Sequence, residues 1–291
     1  MTADRSPVVK LESASLRYGS RSLWRDLDVE IQAGQFVAVL GPNGVGKTSL
    51  LRVLLGQVRL SAGRASVLGL DPEDANLRVG YVPQHRAFDR SLPLRGRDLV
   101  RLGVDGHRWG LPLPSPARRE LVESAIAAVG ATTYAGAPIG LLSGGEQQRL
   151  RIAQALASDP ALLLCDEPLL SLDLGSQRLV VELLDARRRT HDTAVLFVTH
   201  DVNPILPAVD SVLYLAPGSW AIGSPDEVLT DETLTRLYGT RVDVLRVQGR
   251  VIVVGTPDEP GAVLGEAAYA HAHLEGHDHG HEHDRTYEED E

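Results

Sequence analysis

The segment Gly41-Pro-Asn-Gly-Val-Gly-Lys47-Thr48 constrains this chain more than any other. It follows a short, continuous apolar run at residues 36–40 and precedes a stretch of helical character that runs to about residue 55. A glycine-rich loop between a buried strand and a helix, ending in Lys-Thr, fits the G-x-x-x-x-G-K-[ST] phosphate-binding pattern. Glycines let the backbone curl so that successive N–H groups point inward at an anion. The helix N-terminus adds a favourable dipole. Gly41, Pro42, Asn43, Gly44, Val45, Gly46, Lys47, Thr48 and Ser49 are therefore candidate nucleotide contacts. Lys47 would neutralise the β- and γ-phosphates, and Thr48 would give an oxygen to Mg²⁺. Lysine occurs elsewhere only at Lys10 in a chain that otherwise uses arginine, which makes Lys47 stand out.

The rest of the chain reads as strands alternating with helices. Residues 8–16, 27–31, 79–82, 161–165, 194–198 and 211–215 read as strands, and residues 143–157 and 175–189 as helices. That alternation predicts an α/β fold with a parallel sheet covered on both faces. Residues 85–142 are rich in Pro and Arg and carry helical periodicity instead. Leu121, Val122, Ala125, Ile126 and Val129 mark one face of a helix that starts at Ser115-Pro116 and ends at Gly130. This stretch is expected to be a helical subdomain inserted into a core made of residues 8–84 and 143–240. Residues 241–262 are expected to form a C-terminal hairpin around Gln248-Gly249. Residues 263–291 are expected to be a His- and acid-rich disordered tail.

Net charge is −10, and the last 26 residues hold nine acids and one arginine. The remaining body is nearly neutral, which argues against a nucleic-acid partner. The single cysteine, Cys165, permits no internal disulfide and fits a reducing compartment. Residues 1–10 lack a long apolar stretch, so no secretory signal is expected there. No apolar run approaches the ~18 residues that a bilayer span requires. Work at a membrane would need a partner.

Two further segments carry chemistry. Leu162-Leu-Leu-Cys165-Asp166-Glu167 is an apolar strand ending in two carboxylates. Asp166 can hold the magnesium shell, and Glu167 can polarise a water for in-line attack on a γ-phosphate. Leu142-Ser143-Gly144-Gly145-Glu146-Gln147-Gln148-Arg149 places a serine and two glycines at a helix N-terminus, with Ser143 and Glu146 spaced as a capping box. This makes a second phosphate-facing surface.

The second surface resembles the signature of the ABC ATPase family. The resemblance covers roughly residues 8–240, and it implies a P-loop NTPase core with an inserted helical subdomain and an antiparallel β edge. It also implies a head-to-tail homodimer in which Ser143, Gly144, Gly145 and Asp173 of one subunit face the nucleotide of the other. Tyr18, in Leu16-Arg-Tyr-Gly19, looks like the residue that stacks on adenine. Gln84, in Tyr81-Val-Pro-Gln84, looks like the glutamine that senses Mg²⁺ and the attacking water. Asp173, in Ser171-Leu-Asp173, looks like the interface loop, with Leu174 where most relatives have proline. His200, in Val198-Thr-His200-Asp201, resembles the switch histidine that holds water and Glu167 in place. With Glu167, His200 and Gln84 all present, the resemblance implies an active ATPase that uses ATP and Mg²⁺.

Trp220-Ala-Ile-Gly-Ser-Pro-Asp-Glu-Val-Leu229 and Asp231-Glu-Thr-Leu-Thr-Arg-Leu-Tyr-Gly239 look like the zinc and manganese importer branch. Such an ATPase would sit on the cytoplasmic face of the membrane, on a separate permease served by an extracytoplasmic solute-binding protein. Its cargo would be a divalent metal, with a siderophore or other small solute as the alternative. A soluble, non-transport ABC ATPase is the alternative from another class. His271, His273, His277, His279, His281 and His283, interleaved with acids, offer ligands that suit Zn²⁺ and would also bind Ni²⁺ or Cu²⁺, with a solvated spacer as the alternative.

Overall fold

The computed structural model describes residues 6–84, 88–106, 115–170, 172–255 and the backbone of Val263–Leu264. Its strands are β1 (Val9–Tyr18), β2 (Arg21–Ile31), β3 (Phe36–Leu40), β4 (Ala62–Val67), β5 (Val79–Val82), β6 (Leu162–Asp166), β7 (Ala194–Val198), β8 (Ser211–Ala216), β9 (Ser219–Gly223), β10 (Val242–Val247), β11 (Arg250–Gly255) and β12 (Val263–Leu264). Its helices are α1 (Lys47–Leu54), α2 (Gly96–Asp105), α3 (Pro116–Ala128), α4 (Gly144–Leu156), α5 (Leu174–His191), α6 (Pro225–Val228) and α7 (Asp231–Tyr238).

The central sheet has the order β5-β6-β7-β3-β8-β9, parallel except for β9 at one edge. Every residue of β3, β6 and β7 is buried. Strands covered on both faces read as continuous apolar runs, which is why they were legible in the sequence. Alternation along each strand splits the core in two. Val37, Val39, Leu164, Leu196 and Leu213 face α1 and a second, antiparallel sheet, β2-β1-β4. Phe36, Ala38, Leu163, Phe197 and Tyr214 face the helices α2 to α5 and the C-terminal elements. Phe197 is fully buried, with its ring 5.7 Å from that of Phe36. Phe197→Ala should cost about 3–5 kcal/mol of stability, read as a lower denaturant midpoint at unchanged slope.

Several local expectations shift. Leu121 was grouped with the buried face of α3 but is 46% exposed, while Val122, Ala125, Ile126 and Val129 are buried. Their spacing of three and four residues defines the face, and Leu121 lies one step outside it. The hairpin expected at residues 241–262 gains a third strand. Val263 and Leu264, expected in the disordered tail, pair with Val254 and Val253. The turn between β10 and β11 does lie at Gln248-Gly249, both in the left-handed region (φ 49° and 78°), as a two-residue hairpin requires. Strands β4 and β9 had no clear period in sequence because their residues are largely exposed or half-buried. The tail histidines lie outside the described residues. Among the described residues, no helix is long and apolar enough to cross a membrane.

Candidate active site

The parallel strands finish level with one another. Val39 and Asp166 are both in register with Val198, and Val82 is in register with Cys165. The residues that follow, Gly41, Gln84, Glu167 and His200, therefore emerge together at the carboxyl edge of the sheet, where open α/β sheets bind ligands.

Gly41 and Gly46 show why the loop needs glycine. Gly41 has φ +135°, and a Cβ there would sit 2.1 Å from the Leu215 carbonyl oxygen. Gly46 has φ +106°, and a Cβ would meet Leu23 at 2.9 Å and the indole nitrogen of Trp24 at 3.0 Å. Lys47 opens α1 and is buried. Its Nζ donates to the carbonyls of Gly41 (2.6 Å) and Pro42 (3.0 Å), which folds the cation into the loop. Burial pulls the ammonium pKa down, while Glu167 and Asp166 oppose this.

Thr48 Oγ1 donates to Asp166 Oδ1 at 3.2 Å. Burial raises the pKa of Asp166, and the Thr48 bond works against it. Glu167 follows in the left-handed region (φ 46°), a strained conformation for a non-glycine residue. Its amide donates to the Val198 carbonyl at 3.0 Å. Its Oε2 accepts from Gln84 Nε2 at 3.4 Å and lies 3.7 Å from His200 Nδ1, an ion-pair separation.

His200 holds the Glu167 pKa below its ordinary 4.5, against the effect of burial. Glu167 raises the His200 pKa above its ordinary 6.5. The depressed carboxylate stabilises the fold above pH 4.5, and this is lost as pH falls through its folded value. The raised imidazole stabilises below pH 6.5, and this is lost as pH rises through its folded value. Without nucleotide, wild type should exceed His200→Ala in stability most between pH 4.5 and 6.5, with the gap closing on either side in thermal melts.

The other expected contacts stand on separate supports. Tyr18 ends β1, is 48% exposed and pairs with Arg21. Arg21, which the sequence reading missed, donates from Nη2 to the Gly44 carbonyl at 2.9 Å and ties this hairpin tip to the phosphate loop. Trp24, also missed, is fully buried, and its indole nitrogen has no hydrogen-bond partner among the described residues. A lone arginine in an exposed turn carries no local signal, and Trp24 reads simply as an apolar strand residue.

Ser143 caps α4 through the expected reciprocal box: its amide donates to Glu146 Oε2 (2.8 Å), and its Oγ accepts from the Glu146 amide (3.4 Å). The place where Gly145 would carry a Cβ lies 2.7 Å from Ser176 Oγ. The signature thus abuts the start of α5, while the phosphate loop rests on Leu23, Trp24 and Leu215. Asp173 caps α5, accepting from the Ser176 amide (2.9 Å) and from Ser176 Oγ (2.7 Å). Leu174 occupies the first helical position, where the N–H needs no intrahelical partner, so proline and leucine are both accommodated. Ser171 lies outside the described residues.

A profile of the ABC transporter family matches residues 24–170. The chain is 33% identical over 238 residues to the manganese transport system ATP-binding protein MntB of Bacillus subtilis (strain 168), covering 82% of this chain and 95% of that one. It is 32% identical over 239 residues to the zinc import ATP-binding protein ZnuC of Halorhodospira halophila (strain DSM 244 / SL1), covering 81% and 85%. A solved ABC transporter in an inward-facing conformation matches with a TM-score of 0.73 at 27% identity, over 87% of this chain and 99% of that chain.

The chain belongs to the ABC transporter family. Within it, this chain is an ATP-binding subunit that hydrolyses ATP. ABC ATPases use ATP with Mg²⁺, and the residues present fit that pair. The loop exists only because glycines leave room for it, its one ammonium is folded inward, and the Thr48 hydroxyl and Asp166 carboxylate touch at its end. A buried carboxyl with a raised pKa beside a hydroxyl is a donor set suited to a hard cation.

Proposed function

We propose that two copies of this chain close head to tail around two ATP molecules and drive import of a divalent metal, zinc or manganese, through a separate permease. The observation that carries the catalytic half is the convergence of Gln84, Glu167 and His200 beside the phosphate loop. The likeness to the manganese and zinc ATP-binding proteins over four-fifths of the chain supports the metal half.

Lys47 and the loop amides hold the β- and γ-phosphates. Tyr18, exposed at the hairpin tip beside the loop, offers its ring to the adenine. Thr48, Gln84 and Asp166 would hold Mg²⁺, which supplies charge neutralisation at the phosphate oxygens. Glu167 orients the attacking water and accepts its proton as the water oxygen bonds to the γ-phosphorus. The bond from that phosphorus to the β–γ bridging oxygen breaks, giving ADP and phosphate. A carboxylate with a depressed pKa keeps its charge but is a modest proton acceptor, so orientation is the larger part of its role. His200, oriented by its contact with Glu167, donates a ring N–H toward the γ-phosphate. Ser143, Gly144, Gly145 and Asp173 of the second copy complete each site.

In this reading the chain sits on the cytoplasmic face of the membrane, and an extracytoplasmic solute-binding protein delivers the cargo. The tail histidines, His271 to His283, bind Zn²⁺ on that side. Deleting residues 266–291 should then remove Zn²⁺ binding detected by calorimetry.

The test of transport is cellular zinc, manganese, iron and nickel content under metal limitation. Strains would lack the chain or carry wild type or Glu167→Gln. A selective fall in zinc or manganese, restored only by wild type, is expected. Unchanged metals, with a defect in chelate uptake instead, would move the siderophore reading into first place.

A further inference from the structure

The C-terminal sheet lies outside the catalytic edge, yet it holds the loop that carries His200. Asn203, three residues past the histidine, donates from Nδ2 to the Val251 carbonyl at 3.0 Å and accepts from the Val251 amide at Oδ1 at 2.8 Å. The carboxamide thus reproduces the pair of bonds that a neighbouring strand would make. Because the Val251 N–H and C=O point to Asn203, they are turned away from β10. Asn203 therefore lies along the same edge of β11 that β12 pairs with at Val253 and Val254.

The same carboxamide reaches back toward His200. The Asn203 amide and Nδ2 both donate to Asp201 Oδ1, each at 2.9 Å. Asp201 is clasped in turn by Thr199: Thr199 Oγ1 donates to the Asp201 carbonyl (2.9 Å) and accepts from the Asp201 amide (3.2 Å). His200 sits inside this clasp, half-exposed and, among the described residues, with only Glu167 at ion-pair distance. Val202, Ile205 and Val251 are buried in one cluster, so apolar packing runs beside the polar link. A displacement of β11 would reach the backbone on both sides of the histidine through Asn203 and Asp201.

We propose that Asn203 is a positioning residue for ATP hydrolysis, clamping the His200 loop to β11 so that the C-terminal sheet governs how well His200 meets Glu167. The inference rests on the role given to His200 above.

The test uses the full-length chain and steady-state ATP turnover for Asn203→Ala, Asn203→Asp, Val251→Pro, the Asn203→Ala/Val251→Pro double variant and, separately, His200→Ala. Asp keeps one acceptor but loses donation to Val251 and places a like charge beside Asp201. Proline removes the Val251 donor from the other end. Each single clamp variant should lower kcat about tenfold while KM for ATP stays within about twofold, the mark of an interaction felt in the chemical step. The double variant should be no worse than the worse single one, because both cut one link. Amide exchange across residues 199–203 should quicken in every folded clamp variant.

Wild-type kcat in the Ala and Asp variants would overturn the clamp, whatever happens to the proline variant. So would losses that multiply in the double variant, or a rise in KM that accounts for the whole loss. If His200→Ala keeps wild-type kcat, the histidine's role fails and the clamp falls with it. If His200→Ala is impaired and the Asn203 variants are not, the clamp alone is refuted.

Discussion

Glu167→Gln is expected to lower ATP turnover by about 10²- to 10⁴-fold, the range seen on removing a general base, while leaving ATP binding close to wild type. The substitution keeps the side chain's size and both neighbours, Gln84 at 3.4 Å and His200 at 3.7 Å. It removes the charge proposed to orient water, and it weakens the hydrogen bond and attraction by which Glu167 raises the His200 pKa. Both groups to which catalysis is proposed are thus weakened by one atom change, with the phosphate loop untouched. Phosphate release and equilibrium ATP binding, measured on the same preparation, separate these effects. Turnover near wild type would move the base to another residue.

Lys47→Ala should act on the other half of the process. Lys47 has a relative exposure of only 6%, and its ammonium bonds two loop carbonyls at 2.6 and 3.0 Å. Without it the loop loses its one inward cation, and two carbonyl oxygens lose their donor. Hydrogen bonds to charged groups contribute about 1.5–3 kcal/mol, so ATP affinity should fall about 10- to 100-fold in calorimetry. Lys47→Arg should not restore it, because a planar guanidinium does not fit the slot of a compact ammonium. Unchanged affinity would contradict the role given to Lys47.

Much of this architecture was legible because it is locally encoded. The buried strands β3, β6 and β7 are continuous apolar runs, and each leads into residues to which the proposed chemistry is assigned. The signature announces itself as a capped helix through Ser143 and Glu146, three residues apart. What was not legible depends on partners distant in sequence. Arg21 reaches Gly44 across 23 residues, and Asn203 reaches Val251 across 48. Neither residue is unusual where it stands, and only the fold gives it a partner. Strands β4 and β9 lie partly in solvent, so their side chains carry little alternation. Leu121 shows the reverse limit: an apolar residue beside a buried face need not belong to it.

The most direct test of the catalytic reading is ATP turnover in mixtures of two crippled chains, Lys47→Ala and Ser143→Arg. The first has a damaged phosphate loop and an intact signature; the second has the opposite. If each site is built from the loop of one chain and the signature of another, the mixed dimer holds one intact site. The mixture should then hydrolyse ATP faster than the sum of the two variants measured alone. A rate equal to that sum would mean that loop and signature act within a single chain, and would contradict the head-to-tail pair.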